Sequence, residues 1–256
     1  MLSIIGLGLD IGDISLKGLD AIKEADSVLI EIYTLPLPSG YIEMLEKETG
    51  KKITKIDRKA LEEEVGETVA PSAVSDIALL VPGDPLVATT HHIIIAAARN
   101  AGAEIRIIHS ASIFTAAIGE SGLDIYRFGP TTTIPFWSSK YKPVSFIDTI
   151  ERNLSNNNHT LVLLDVDAQA GLTMSYADAL ALLCKAEEKR GKKVASGKKI
   201  LIMCEIGTDE QVIIYAGIGD IKLERLEKRL SSKRTALIIP AEMNFAEAEL
   251  VKSFGL

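Results

Sequence analysis

The chain has 256 residues, 47% hydrophobic and 25% charged, which suffices for one large or two smaller α/β domains and does not suggest disorder. A net charge of −7 argues against nucleic acid as the main partner, and no apolar stretch reaches the roughly 18 residues of a membrane span. Two cysteines without a Cys-x-x-Cys spacing, Cys184 and Cys204, read as buried thiols of a reducing compartment.

Residues 1–10 lack the positive flank of a leader and read as a first strand, 2–7, running into the turn Gly6-Leu7-Gly8-Leu9. Ser15 is placed to cap a helix over 16–24. A second strand, 27–32, ends in the polar group Glu31-Ile32-Tyr33-Thr34, and a helix over 41–49 closes at Gly50. A short strand at 52–56, an acidic helix at 57–65 and a helix at 68–76 interrupted by Pro71 follow.

The segment 79–92, LLVPGDPLVATTHH, is the focus of the first half. Its strand, 77–81, stops at Pro82-Gly83-Asp84-Pro85 and leads to a helix over 90–100. Prolines fix φ, and glycine reaches backbone angles that other residues avoid. A strand at 104–108 and a helix at 110–118 complete a βα series, which predicts a mainly parallel sheet.

The pattern changes near residue 120, and the spacing predicts a domain junction within 109–135, with domains of 1–110 and 111–256. Expected elements of the second half are strands at 131–135 and 159–166, helices at 144–154 and 175–189, and strands at 200–204 and 211–216. The last two are joined by too short a link for a crossover, so they pair antiparallel. A helix at 221–230, a strand at 235–239 and a helix at 244–252 end the chain. The lysine- and arginine-rich stretch 189–199 has no interleaved aromatics and reads as a solvated loop.

The turn after the first strand is not a dinucleotide fingerprint, since Ile11 stands where the third glycine belongs. There is no Gly-Lys-Ser/Thr phosphate loop and no Gly-x-Ser-x-Gly elbow. The histidines, His91, His92, His109 and His159, lack the spacing of a zinc helix, so no metal is expected. What remains is a lining of strand-end backbone and short side chains: Leu9, Glu31, Tyr33, Thr34, Asp84, Val87, Thr89, Thr90, Ser112 and Ile113. Open α/β sheets bind ligands at such strand ends, and this set suits a mostly neutral, adenosine-like molecule.

Ile5-Gly6-Leu7-Gly8-Leu9, Glu31-x-Tyr33-Thr34, the run from Pro82 to His91 and Ser112-Ile113 together resemble the archaeal diphthine synthases. That family lies in the tetrapyrrole-methylase-like class (class III) of methyltransferases, which use S-adenosylmethionine. Gly129, Leu164-Asp165 and the tail from Ile239-Pro240 to Glu247-Ala248-Glu249 extend the likeness nearly end to end. The resemblance implies two α/β/α domains with the cofactor cleft between them, and a cytoplasmic homodimer with neither membrane nor direct nucleic-acid contact. It further implies that S-adenosyl-L-methionine becomes S-adenosyl-L-homocysteine while the amino group of the 3-amino-3-carboxypropyl histidine of translation elongation factor 2 is trimethylated to diphthine.

On the family pattern the cofactor contacts fall on Leu9, Asp84, Val87, Ser112, Ile113 and Leu164. Two more fall on Ile206, where relatives can have a smaller residue, and Thr235, where they can carry histidine. The first glycine loop is a residue shorter than in relatives, with Ile11 and Gly12 at family acidic positions. No side chain stands out as a general base; His91 and Tyr33 are the candidates. Phe136, Trp137 and Tyr141 are candidates for the border of a route for the protein substrate. The competing readings are a methyltransferase acting on a tetrapyrrole-like ring and a non-catalytic binding protein that retains the fold.

Overall fold

The computed structural model describes residues 1–167, 171–218, 230 and 234–255. The chain forms two compact units, one of Met1–Ile113 with Asp167–Leu172, the other of Phe114–Val166 with Thr173–Leu256. The stretch Asp167–Leu172 thus belongs with the first unit, which no single boundary captures.

The first unit is built on a parallel sheet of β1 (Leu2–Gly6), β2 (Ser27–Glu31), β3 (Ile53–Ile56), β4 (Ile77–Val81) and β5 (Ile105–Ile108), in the order β3-β2-β4-β1-β5. β1 and β4 are central and buried along their whole length, as unbroken apolar strands covered on both faces should be. Helices α1 (Leu16–Glu24), α2 (Tyr41–Thr49), α3 (Arg58–Glu62), α4 (Val65–Val69) and α5 (His92–Asn100) connect them. Ser15 caps α1 by accepting from Gly18 N at 3.1 Å, and α2 ends at Gly50 in the left-handed region. One apolar cluster includes Ile5, Ile22, Tyr41 and Leu80; a second, with Ile4, Leu79, Val81 and Ile94, lies separate from it.

The expected helix at 57–65 is the shorter α3, α4 (Val65–Val69) overlaps the end of that expectation and the start of the next, and the rest of 68–76 holds a 3-10 turn, Ala70–Ala73. Asp57 caps α3, and Pro71, with no N–H to donate, prevents α4 from continuing. Helix α6 (Ile113–Glu120) begins three residues later than expected, leaving Ser110, Ala111 and Ser112 in the loop after β5.

The second unit carries a mixed sheet of β6 (Thr132–Ile134), β7 (Thr160–Leu164), β10 (Lys199–Cys204), β11 (Val212–Gly217) and β12 (Thr235–Ile239), in the order β11-β10-β12-β7-β6. The two-residue strands β8 (Val166–Asp167) and β9 (Leu172–Thr173) form a separate small ribbon. β6 and β7 are parallel and the other pairs antiparallel, including β10 with β11 as the short link between them requires. Helices α7 (Ser145–Ser155), α8 (Tyr176–Arg190) and α9 (Phe245–Lys252) complete the described elements. Phe146, Ile147, Ile150 and Asn153 turn one face of α7 into the core, and a capping box between Asn244 and Glu247 starts α9. The helix expected at 221–230 lies outside the described residues, apart from Leu230. Among the described residues no helix is long and apolar enough to cross a membrane.

Candidate active site

In the first unit the loops after β1, β2, β4 and β5 all leave from the same end of a parallel sheet, and the first-half candidates lie on them or at their ends, Glu31 closing β2 and Ile113 opening α6. The loops after β1 and β4 are clamped together at Gly8 and Gly83, which exchange backbone hydrogen bonds of 3.1 and 2.9 Å. Three strand ends meet at Gly6. A Cβ there would stand 2.7 Å from the Gly83 carbonyl oxygen and 2.9 Å from both Pro85 Cδ and Ser110 Cβ. Asp13 closes the first loop, its Oδ2 accepting from Leu9 N at 2.8 Å and Asp10 N at 3.0 Å. Ile11 is exposed on that loop and Gly12 sits at φ +97°. Leu9 and Ser112 are buried, whereas Val87 and Ile113 are half-buried. Ala88 takes φ 56°, unusual for a residue with a side chain, within the segment singled out in the sequence.

Asp84 ties two of these loops together. Oδ1 accepts from Leu86 N at 3.0 Å within its own turn. Oδ2 faces Nδ1 of His109 at 2.8 Å and accepts from Ser110 N at 3.3 Å. The Asp84 side chain is 7% exposed and that of His109 67% exposed. A carboxylate only accepts, so the facing Nδ1 of His109 carries hydrogen and Nε2 of the neutral ring holds the lone pair.

Glu31 and His91 form a second cross-link, fully buried, with Nε2 of His91 3.0 Å from Oε2 of Glu31 and Nδ1 2.9 Å from the Pro85 carbonyl oxygen. Burial pushes the His91 ring down, but the Glu31 carboxylate, the Pro85 carbonyl and Glu62 outweigh it and leave the ring above the usual imidazole value. Burial, with the Glu31 and Glu62 charges, raises the Tyr33 phenol well above its ordinary range, and Arg58 lies 5.3 Å from the ring centroid. His91, engaged at both nitrogens, and Tyr33, held as a phenol, are therefore poor bases. They form a support layer under the turn after β4.

In the second unit β7 ends, β12 begins and β10 ends at one edge of the sheet, so Leu164, Thr235 and Ile206 share that edge. Leu164 and Ile206 are both buried. Thr235 Oγ1 lies 3.3 Å from Cys204 Sγ. Glu205, at φ 46°, accepts from Arg234 N at 2.7 Å and Arg234 Nε at 2.9 Å, and this fork fixes the backbone entering Ile206. Sequence reasoning missed both the Glu205–Arg234 fork and the Asp84–His109 pair, because each joins residues distant in the chain and neither has a motif. At the same edge, Asp165 Oδ2 accepts from Phe136 N at 2.8 Å. Phe136 and Trp137 pack on the second unit's core and Trp137 Nε1 donates to the Pro143 carbonyl at 3.0 Å, whereas Tyr141 is exposed. Trp137 is thus a packing residue. Among the described residues no group of three or more His, Cys, Asp or Glu is placed to hold a metal.

Two α/β units with candidate residues gathered at one end of each sheet define a class. The family model for Tetrapyrrole (Corrin/Porphyrin) Methylases matches residues 1–222. The diphthine synthase of Methanothermobacter thermautotrophicus is 39% identical over 250 residues, covering 97% of this chain and 93% of that protein. That of Methanococcus maripaludis is 37% identical over 254 residues, covering 98% of each. A crystal structure of a diphthine synthase superposes with a TM-score of 0.86 at 33% identity, covering 99% of this chain and 95% of that one. The chain belongs to the tetrapyrrole methylase family, and within it to the diphthine synthases. It is accordingly an S-adenosylmethionine-dependent methyltransferase.

Proposed function

We propose that this enzyme trimethylates the amino group of the 3-amino-3-carboxypropyl-modified histidine of translation elongation factor 2, giving diphthine and S-adenosyl-L-homocysteine. The observation that carries the reading is the near full-length likeness to diphthine synthases, together with a strand-end site whose signature turn is locked from two sides by Asp84 and Glu31–His91.

The first unit's sheet end fits the cofactor. Leu9, Val87 and Ile113 supply apolar surface and Ser112 a hydroxyl. Gly83, at φ +71° with open space where a Cβ would lie, leaves room for a ligand to approach the backbone, while its own N–H and carbonyl are held by Gly8. Leu164, Ile206 and Thr235 are read from the family pattern as further contacts. When bound, S-adenosylmethionine supplies a methyl group on a positively charged sulfur, ready for in-line displacement. The chain's part is orientation. Asp84 keeps the turn after β4 in register with the loop after β5, the Gly8–Gly83 clamp sets the floor, and the apolar side chains exclude water. The enzyme is read as a cytoplasmic homodimer that uses no metal.

The test is a matched pair of elongation factor 2 preparations, with and without the 3-amino-3-carboxypropyl group, incubated with methyl-labelled S-adenosylmethionine. We expect label only in the modified factor. Equal labelling of both, or binding of cofactor without transfer to either, would remove the proposal.

A further inference from the structure

We propose that His109 is the proton acceptor of the methyl transfer, oriented by Asp84. The inference rests on the function proposed above and identifies the group that keeps the substrate nitrogen reactive. An amine attacks only through a lone pair, whereas an alkylamine in neutral water is held mainly as ammonium, and each methylation regenerates a cation. A trimethylating enzyme therefore removes a proton before each of its three transfers.

The candidate groups at this sheet end sort by geometry. His91 has both ring nitrogens engaged and is 1% exposed. Tyr33 is 5% exposed beside Glu31. Asp13 is committed to the backbone N–H groups of Leu9 and Asp10. His92 is exposed at the start of α5, with no carboxylate bonded to it among the described residues. His109 alone combines an accessible ring with a buried carboxylate bonded to its other nitrogen. The 2.8 Å contact with Asp84 places hydrogen on Nδ1 and leaves the lone pair on Nε2. A base held in one tautomer by a third group is the arrangement used for proton transfer in unrelated enzymes. Asp84 is itself fixed by Leu86 N and Ser110 N, and the Ser110 hydroxyl donates to the Asp13 carbonyl at 3.1 Å. Among the described residues the charged group bonded to the ring is the Asp84 carboxylate, which is the counter-charge when the ring takes up a proton.

The step balances as follows. A proton passes from the substrate ammonium to Nε2 of His109. The freed nitrogen pair forms an N–C bond as the C–S bond breaks, and that bond's electrons leave with sulfur as a neutral thioether. The exposed ring then returns its proton to water. Three cycles remove three protons and leave a quaternary nitrogen with none.

The test compares wild type with H109Q and H109A in single-turnover methylation of the modified factor, with cofactor affinity measured separately by calorimetry. We expect H109Q to lose about 100-fold or more in rate near pH 7, with cofactor affinity within about threefold of wild type. Raising the pH should restore its rate as the amine loses its proton to solvent, and added imidazole should rescue H109A. Nitrogen NMR of the resting enzyme should show the neutral His109 ring protonated at Nδ1. The proposal is overturned by an H109Q rate equal to wild type, by a rate loss matched by an equal loss of cofactor affinity, by failure of both pH and imidazole rescue, or by a ring protonated at Nε2. A wild-type enzyme that binds cofactor and methylates nothing removes the proposed function and this inference with it; normal wild-type transfer beside an unimpaired H109Q removes this inference alone.

Discussion

Oε2 of Glu31 lies 3.0 Å from Nε2 of His91 with both side chains out of water, while the other ring nitrogen meets the carbonyl oxygen of Pro85. A carbonyl can only accept, so Nδ1 must carry hydrogen, and one further proton is shared between Nε2 and Oε2. The other carboxylate oxygen, Oε1, has no hydrogen-bond partner among the described residues. The end of β2 is in this way coupled to the turn after β4 through one trapped proton. Because His91 titrates higher in the fold than its ordinary 6.5, its contribution is complete below that value and is lost as pH rises through the raised value. We expect thermal stability to fall with rising pH over that window. We expect E31Q to flatten the dependence and to cost about 3–5 kcal/mol, since it leaves one partner of a buried pair alone. Calorimetric melting across the pH range checks both.

The opposite dependence is expected from the second unit. Ala241 N–H donates to Nδ1 of His159 at 2.9 Å, so Nε2 holds hydrogen and donates to Glu247 at 3.0 Å. Glu247 also accepts from Asp124 N and Asn244 N and pairs with Arg127. Burial holds the His159 ring below 6.5. Against the opposing effect of burial, the Asp124 and Asn244 N–H groups and His159 hold the Glu247 carboxyl below 4.5. Both groups therefore contribute above their unfolded values and lose that contribution as pH falls. E247Q should make acid unfolding shallower while lowering stability at neutral pH, which circular dichroism through an acid titration measures.

Gly6 is expected to tolerate no side chain. The atoms a Cβ would meet are a backbone oxygen, a proline ring and Ser110 Cβ, none of them the far end of a flexible chain. Gly6→Ala should cost about 1–3 kcal/mol and weaken cofactor binding, because it separates the β1, β4 and β5 ends. Gly66, where a Cβ meets open space, is the control expected to leave cofactor binding unchanged.

Asp84→Ala should weaken S-adenosylmethionine binding by roughly 10- to 100-fold, equivalent to losing charge-assisted hydrogen bonds of about 1.5–3 kcal/mol. Isothermal titration of the folded variant checks this. Unchanged affinity would confine Asp84 to holding the turn and orienting His109.

The strands were legible because buried parallel strands are unbroken apolar runs, as at Ile77–Val81, and because turn residues mark their ends. The split of residues 57–76 into short helices was less so, since the break at Glu63-Glu64 is marked by neither glycine nor proline and periodicity alone runs across it. The candidate lining was legible as loops: Leu9, Glu31, Tyr33, Asp84 and Ser112 stand at strand ends in the sequence, and His91 entered only as a candidate base. What pairs with what was not legible: Glu31 and His91 are 60 residues apart, Asp84 and His109 are 25 apart. Such contacts depend on sheet order, which a single sequence does not encode locally. His109 went unnoticed for this reason, being one of four histidines without a motif.

The most direct measurement is the mass of the modified-histidine peptide of elongation factor 2 after exhaustive reaction with this enzyme and S-adenosylmethionine. We expect a gain of three methyl groups, all on the amino nitrogen of the 3-amino-3-carboxypropyl group. No gain despite bound cofactor, or methyl groups on any other atom, would contradict the assignment.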